Sequence, residues 1–325
     1  MATSGTPGNV LVSIVIVSWN TRELLAHCLD SLAAQPFDIH GATTQQGQGG
    51  PSAEVITVDN ASSDGSVDLV RRRFPWVRLI PNNANVGFAV ACNQAMRLAS
   101  GRYVILLNPD AEVEADTLTA LVRFMEAHPE AGAAGPMLTD ADGTPQTSCS
   151  PAPTLGRELW RLFHLDAVWP FAIYRMHTWP TDRPREVDVA QGACLILRQS
   201  ALGQVGLLDE QFFIYSEEVD LCQRLRQQGW KVYWVPGARV LHHGGQSTRQ
   251  VAAAMFLRLY QAKILYFRKH GGAPAARTYK LIVSAAALGR LLMTPLAWLE
   301  PPARRERHLT LAGYYERLLR ALPGM

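Results

Sequence analysis

Four short clusters hold the residue types that do chemistry. Val58-Asp59-Asn60-Ala61-Ser62-Ser63-Asp64-Gly65-Ser66 ends a β-branched run in an acid and then turns on Asn, Ser, Asp and Gly. A carboxylate there can accept a hydrogen bond from a nucleobase N–H or a ribose hydroxyl, although the same residues also build ordinary Asx and Ser turns. Leu106-Leu107-Asn108-Pro109-Asp110 delivers a second carboxylate at the end of an apolar run. Mg²⁺ takes one or two carboxylates plus substrate phosphates, so Asp110 suits a metal and Asn108 a ribose or phosphate; a loop closed by an Asx turn is the plainer reading. Phe212-Phe213-Ile214-Tyr215-Ser216-Glu217-Glu218-Val219-Asp220-Leu221 sets three acids at a helix start. Crowded carboxylates raise one another's pKa, which keeps one of them useful as a general base near neutral pH. Acids at that end also complement the helix dipole behind a Ser216 cap. Leu241-His242-His243-Gly244-Gly245-Gln246-Ser247 places a His after a strand, where it can ligate a metal, beside glycines that let backbone approach a phosphate. No other His or Cys sits at zinc-ligand spacing, so a zinc site is not expected.

These clusters need elements to hold them, and the first half of the chain supplies a rhythm. Short β-branched runs at 12–17, 55–59, 77–80 and 103–107 alternate with helical spacing at Leu24, Leu25, Cys28, Leu29 and Leu32, and again at Phe88, Ala91, Ala95, Leu98 and Ala99. This βαβ alternation predicts an α/β fold, a mostly parallel sheet flanked by helices. Ligands of such sheets bind at the carboxyl ends of the strands. Ser18-Trp19-Asn20, Asp59-Asn60 and Asn108-Pro109-Asp110 each follow a strand directly, so all three point to that edge. In the second half, 145–184 reads as irregular with one short helix, 187–197 as a buried strand, and 217–228 as a helix ended by Gly229. Short strands are expected at 231–235 and 238–241, and a helix at 250–269. The insert GATTQQGQGG, between Asp38 and Ser52, reads as a low-complexity surface loop.

The chain has 325 residues, 48% apolar and 18% charged, which is ordinary for a globular protein with a full core. A net charge of +3 is too mild to indicate nucleic acid. The five cysteines (Cys28, Cys92, Cys149, Cys194 and Cys222) are scattered and form no C-x-x-C pair, which argues against a disulfide framework and fits a reducing compartment. The apolar run from Val10 is too short to span a membrane and lacks a basic flank, so it reads as a strand, with nothing to indicate export. Residues 280–299 are strongly apolar but interrupted by Arg290 and Pro295. A central Arg costs about 2.5–3.5 kcal/mol in an inserting helix. Lys280, Ser284, Arg290 and Thr294 gather on one side of the wheel, which suits a helix lying on a membrane surface or one packed on the domain. Arg304, Arg305 and Arg307 follow and suit anionic lipid.

Taken in order, VSIVIVSWN, VDNASSDGS, NVGFAVACNQAM, LLNPD, GACLILR, FFIYSEEVDLCQRLRQQGW and HHGGQS resemble the family 2 glycosyltransferases, and within them the rhamnosyltransferase-like branch. The resemblance covers roughly residues 10–269. It implies a GT-A fold: a mostly parallel nucleotide-binding sheet flanked by helices, an acceptor-binding half, and C-terminal helices. It implies a glycosyltransferase domain over 10–270, with 10–138 binding the nucleotide sugar and 139–248 the acceptor; residues 271–325, beyond it, read from their own pattern as a helical segment that associates with a membrane or packs on the domain. The implied chemistry is a single displacement with inversion, from a dTDP- or UDP-sugar to a glycan or lipid-linked acceptor, with Mg²⁺ or Mn²⁺. The implied place is the cytoplasm, peripheral on the inner face of the cell membrane. Carried onto this chain, Asp59 contacts the nucleotide base, Ser18 and Asn20 line its pocket, and Asn85 and Asn93 border the donor. Asn108 and Asp110 stand at the Asp-x-Asp metal motif, with Asn in place of the first acid; Asp110 is then the main metal ligand and His242 the second. Glu218 takes the base role, with Glu217 and Asp220 as alternates.

The rhamnose and dTDP assignments rest on the branch resemblance alone. A galactofuranosyl or amino-sugar transferase would share every motif, because specificity lives in pocket shape and loops. A catalytically silent sugar- or lipid-binding scaffold is the rival from another class; Asn108 and Glu218 favour it, and intact Asp110, Glu217, Asp220 and His242 oppose it. A dinucleotide oxidoreductase fails for want of a G-x-G-x-x-G turn after the first strand, where the chain has Ser18-Trp19-Asn20-Thr21.

Overall fold

A computed structural model describes residues 10–39, 51–244 and 251–325. The insert at 41–50 and the final Gly245-Gln246-Ser247 of the His-bearing motif lie outside the described residues. The strands are β1 (Val12–Ser18), β2 (Asp38–Ile39), β3 (Ser52–Asp59), β4 (Arg78–Pro81), β5 (Tyr103–Leu107), β6 (Ala111–Val113), β7 (Ala131–Thr139), β8 (Cys149–Ser150), β9 (Arg185–Val187), β10 (Val189–Ala190), β11 (Cys194–Arg198) and β12 (Lys231–His242). The helices are α1 (Arg22–Ala33), α2 (Ser66–Arg73), α3 (Phe88–Met96), α4 (Thr117–Ala127), α5 (Leu155–Leu162), α6 (Gln199–Val205), α7 (Glu217–Gln227), α8 (Ala252–Met293) and α9 (Pro302–Ala321). They divide into two compact units. One is drawn from Met1–Ser150, Arg175–Phe213 and Glu217–Arg249, the other from Pro151–Tyr174, Ile214–Ser216 and Gln250–Met325.

The first unit is built on one sheet in the order β2-β3-β1-β5-β11-β7-β12-β6, with β4 beside β3 and β9 beside β12. β1, β5 and β11 are buried along their whole length, as strands covered by helices on both faces must be, and their sequences VSIVIVS, YVILL and CLILR are correspondingly apolar. β1 runs parallel to β3 and to β5, in a register that sets Ser18 beside Asp59 and Ile16 beside Leu107. Their carboxyl ends therefore share one edge. β11 is antiparallel to β5, with Cys194 opposite Leu107, so its amino end arrives at the same edge. α1 covers the sheet through Leu25, Cys28, Leu29 and Leu32, all fully buried. Each leucine buried in this way stabilises by about 1.5–3 kcal/mol.

The strand expected over 187–197 is three. Asp188 leaves the ladder to pair with Arg226 at 2.7 Å, β10 joins β8 in a separate two-stranded sheet, and only then does β11 begin. The two short strands expected over 231–241 are instead one, because a register shift between Val235 and Arg239 absorbs Pro236 and Gly237 as a bulge. All five cysteines are buried as free thiols.

The second unit is helical. The helix expected to end near residue 269 continues in α8 across a kink at Gly272 (φ 72°, ψ −176°), two residues before Pro274. α5 docks on α8 through Glu158, which is buried. Its carboxylate accepts from Lys263 at 3.0 Å, from Arg161 at 2.5 Å and from the Tyr279 hydroxyl at 3.4 Å. The span Ala252–Leu299 is long and apolar enough to cross a membrane by length and composition, and only 22% of its most apolar window is buried.

Candidate active site

The first unit gathers its polar strand ends at one edge. Asp59 closes β3, is buried, and accepts the Ser62 N–H on Oδ1 at 2.9 Å. Its Oδ2 is buried with no hydrogen-bond partner. A buried carboxylate oxygen without a donor is costly, so this atom is set to receive one from a ligand. Ser18 and Asn20 shape the ground around it. The Ser18 hydroxyl is bonded to Thr21 at 3.0 Å, and Asn20, at φ 51°, accepts the Ser63 N–H at 2.8 Å. The first bond closes the turn after β1, and the second holds it against the turn after β3.

Asn85 and Asn93, which sequence reasoning treats alike, diverge. Asn85 is exposed and accepts from Asn60 at 2.9 Å and from the Gly87 N–H at 3.0 Å. Asn93 is buried, donates to Leu208 O at 2.8 Å and to Glu210 at 3.0 Å, and accepts the Leu208 N–H at 3.1 Å. Its amide is turned into the protein and ties α3 to the segment 208–210. Gly87 shows why the loop before α3 carries glycine. At φ 90° it lies so close to Phe213 that a Cβ would meet that residue's backbone oxygen at 2.8 Å, and the next N–H, of Phe88, bonds the same oxygen at 2.6 Å. The loop at 82–87 is thereby fixed beside the segment that leads into the acids.

Asp110 and His242 meet through register. β12 pairs antiparallel with β6, setting His242 opposite Ala111, and the His243 N–H bonds Asp110 O at 2.9 Å. His242 Nε2 lies 3.5 Å from Asp110 Oδ1 and, although buried, makes no hydrogen bond. The other ring nitrogen is held by a residue that sequence reasoning missed. Gln146 donates through Nε2 to His242 O and to Asp140, each at 2.7 Å, which leaves Oε1 to face His242 Nδ1 at 3.0 Å. An amide oxygen can only accept, so Nδ1 carries a proton, and in the neutral ring Nε2 then holds the lone pair that a metal ligand needs. Two ligands of one ion at about 2.1 Å each can span the 3.5 Å between Nε2 and the carboxylate. Among the described residues no third His, Cys, Asp or Glu joins them. The pair therefore fits a divalent ion whose remaining ligands would be substrate phosphates and water.

α7 opens on the acids. The backbone enters it through two left-handed residues, Tyr215 (φ 71°) and Ser216 (φ 65°), conformations that cost roughly 1–3 kcal/mol each and gather at functional sites. Glu217 is buried and Glu218 half-buried, and Oε2 of each has no hydrogen-bond partner. Burial, and then the charge of Glu218, push the Glu217 carboxyl well above its ordinary range; burial raises Glu218 as well. Asp220 differs. It is fully buried and accepts from Arg224 Nε at 2.8 Å, while Arg224 also donates to the carbonyls of Val205 at 2.6 Å and Leu207 at 2.7 Å. This bond network makes Asp220 a clamp between α7 and the loop after α6. The i, i+4 spacing of Asp220 and Arg224 signals that pairing in the sequence.

Gly192 and Ala193 join Glu218 to the strand end that leads into Asp110. The Asn108 N–H bonds Ala193 O at 2.9 Å, and a methyl placed on Gly192 would sit 3.6 Å from Cβ of Glu218. Of the aromatic residues near this region, Trp234 is buried against Trp179, with ring centroids 5.3 Å apart, and belongs to the core.

Comparison with known proteins follows the same lines. The family model described as glycosyl transferase family 2 matches residues 13–203, more than half the chain. An N-acetylglucosaminyl-diphospho-decaprenol L-rhamnosyltransferase of Mycobacterium tuberculosis is 35% identical over 235 residues, 67% of this chain and 76% of its own. A rhamnosyltransferase of Escherichia coli K12 is 25% identical over 54% of this chain and 64% of its own. Among solved structures, a mannosyltransferase of Pyrobaculum calidifontis in complex with GDP-Man and Mn²⁺ superposes with a TM-score of 0.54 at 19% identity, covering 97% of this chain and 88% of that one.

Proposed function

The chain belongs to glycosyltransferase family 2 and has its GT-A fold, and from that premise we propose that it is an inverting rhamnosyltransferase that uses dTDP-rhamnose to extend a lipid-linked glycan in cell-surface polysaccharide synthesis. One observation carries the reading. Gly192 and Ala193 stand between Glu218 and Asn108, so the base candidate and the strand end bearing Asp110 flank one short turn. An acceptor hydroxyl and a donor diphosphate need that adjacency.

In this reading the free Oδ2 of Asp59 accepts from the nucleobase, and Asn85 borders the donor from the loop before α3. Asp110 and His242 would hold Mg²⁺ or Mn²⁺ together with the donor phosphates; the ion would supply Lewis-acid stabilisation of the charge on the leaving diphosphate. Burial and its neighbour's charge both oppose ionisation of Glu217, while burial alone is the main force raising Glu218, which favours Glu218 as the base. Glu218 takes the acceptor hydroxyl proton as that oxygen bonds to the anomeric carbon. The bond from that carbon to the diphosphate oxygen breaks, the configuration inverts and the nucleoside diphosphate leaves. The name of the M. tuberculosis relative supports rhamnose and a polyprenyl-diphosphate-linked acceptor for this chain. An enzyme working on such an acceptor belongs in the cytoplasm, against the inner face of the membrane.

The test is a thermal-shift screen of the full chain against dTDP, UDP and GDP, each with and without Mn²⁺, followed by transfer from dTDP-rhamnose to a synthetic polyprenyl-diphosphate glycan. A ligand at a hundred times its Kd stabilises by about 2.7 kcal/mol. A metal-dependent shift with dTDP and product of inverted configuration are expected. A shift confined to UDP or GDP would overturn the donor, and retained configuration would overturn the mechanism.

A further inference from the structure

The helical unit carries an inverted amphipathic helix. In the second half of α8 the buried side is Tyr279, Val283, Ala286 and Ala287, and Arg290 is turned inward with them, donating to Leu162 O at 2.7 Å and bonded to His164 at 2.9 Å. The apolar residues Leu281, Leu288 and Leu292, at i, i+7 and i+11, are exposed instead (70%, 52% and 80%), and Trp298 and Leu299 extend the same property (66% and 84%). A helix that points its leucines outward in water needs something apolar to meet them.

Between α5, α8 and α9 lies a cavity of about 360 Å³, walled by Phe163, Met293, Leu311 and Tyr315 and holding Arg290 and His308. The Arg290 guanidinium sits 4.9 Å over the Tyr315 ring, and its Nη1 is buried without an acceptor. The other polar groups of the cavity are occupied: Thr294 donates to Arg290 O at 3.1 Å, and His308 is bonded to Glu300 at 3.0 Å. A buried guanidinium N–H lacking an acceptor is costly, and a phosphate oxygen satisfies it with a charge-assisted bond. Arg304, Arg305 and Arg307 follow on α9, with Arg305 stacked on the exposed Trp298 at 4.8 Å, an aromatic and basic pairing suited to a headgroup layer.

We propose that this cavity is the headgroup site for an anionic phospholipid, and that the leucine face beside it rests on a bilayer. A guanidinium with its buried Nη1 left unpaired in an apolar pocket, an outward leucine row and a basic aromatic rim all fit one ligand: a phosphate ester carrying acyl chains. The site lies wholly within the helical unit and stands whichever sugar the other unit transfers.

The experiment is vesicle flotation of the full chain with phosphatidylcholine alone and with phosphatidylcholine doped with phosphatidylglycerol. The doped vesicles should bind more protein. Arg290→Gln should remove most of that increment, a loss of about tenfold in partitioning, while nucleotide-induced thermal shifts stay unchanged. Because Arg290→Gln also disturbs helix contacts, Gly289→Leu is the companion. Gly289 lines the cavity, an added Cβ there meets nothing within 4 Å, and leucine would fill the space while leaving Arg290 in place. It should lose the same increment. The proposal is overturned if wild type shows no preference for the doped vesicles. It is overturned equally if both variants bind like wild type while a triple Arg304→Gln, Arg305→Gln, Arg307→Gln variant does not, since diffuse surface charge would then suffice. A thermal shift with inorganic phosphate that needs Arg290, without any vesicle increment, would make this a free-phosphate site and also overturn it.

Discussion

Glu218→Gln tests the assigned chemistry most directly, because the structure limits what else the change can do. The side chain keeps its length and its stem keeps its place over Gly192. Oε2 makes no hydrogen bond, so no partner is stranded by its loss. What disappears is the proton acceptor. General-base help is worth about 10²–10⁴ in rate, or about 3–5 kcal/mol of barrier at 1.36 kcal/mol per decade. Turnover, followed as dTDP release with rhamnose transfer, should fall by that factor, while dTDP affinity measured by calorimetry with Mn²⁺ should hold, because Asp59, Asp110 and His242 are untouched. Wild-type turnover should rise with pH through a carboxyl value shifted above the ordinary glutamate range by burial, and the variant should lose that limb. Stability carries the same signature. A carboxyl whose folded pKa is raised contributes stability below its unfolded pKa and loses it as pH rises through the folded one. Glu218→Gln should therefore melt at a higher temperature than wild type near neutrality, with the gap closing as pH falls toward the ordinary glutamate range. Near-normal turnover would refute the base assignment. Equal losses of turnover and dTDP affinity would refute the claim that Glu218 acts only on the acceptor.

Other residues give separable outcomes. Gln146→Leu frees the His242 ring and should weaken Mn²⁺ binding about 10–100-fold, read by calorimetry in the presence of dTDP, with dTDP binding without metal unchanged. Asp59→Asn removes a charged acceptor aimed at the nucleobase and should cost roughly 1.5–3 kcal/mol of dTDP affinity, with or without Mn²⁺. Asp220→Ala leaves Arg224 without its carboxylate and should destabilise by about 3–5 kcal/mol in urea unfolding, the usual cost of breaking a buried pair. If that variant folded as well as wild type but lost turnover, Asp220 would belong to the chemistry and not to the clamp.

The edge where this site forms was legible because strand ends can be read from one sequence: Ser18, Asp59 and Asn108 each close a β-branched run, and a parallel register aligns them. The pairing of Asp110 with His242 was legible only as two candidates, since the contact depends on β12 lying antiparallel to β6. Gln146 left no local trace. It sits beside Pro145, at the start of a stretch that reads as irregular, and gains meaning only from a histidine 96 residues away. Asn93 misleads for the opposite reason: it stands in a donor-bordering motif, but its amide holds Leu208. The place of α5 has no local signal either, because it belongs with helices that come about a hundred residues later.

That long reach of α5 has a consequence for synthesis. When Glu158 leaves the ribosome, Lys263 and Tyr279 are still unmade, and α5 has nearby Phe171 against Trp160, with ring centroids 5.9 Å apart, but must wait for α8. The helical unit therefore assembles late, around a carboxylate that must stay hydrated in the meantime. A chain released before Lys263 would carry that acid with Arg161 as its cationic partner. It would also present the apolar face of α5 to whatever chaperone or protease is at hand.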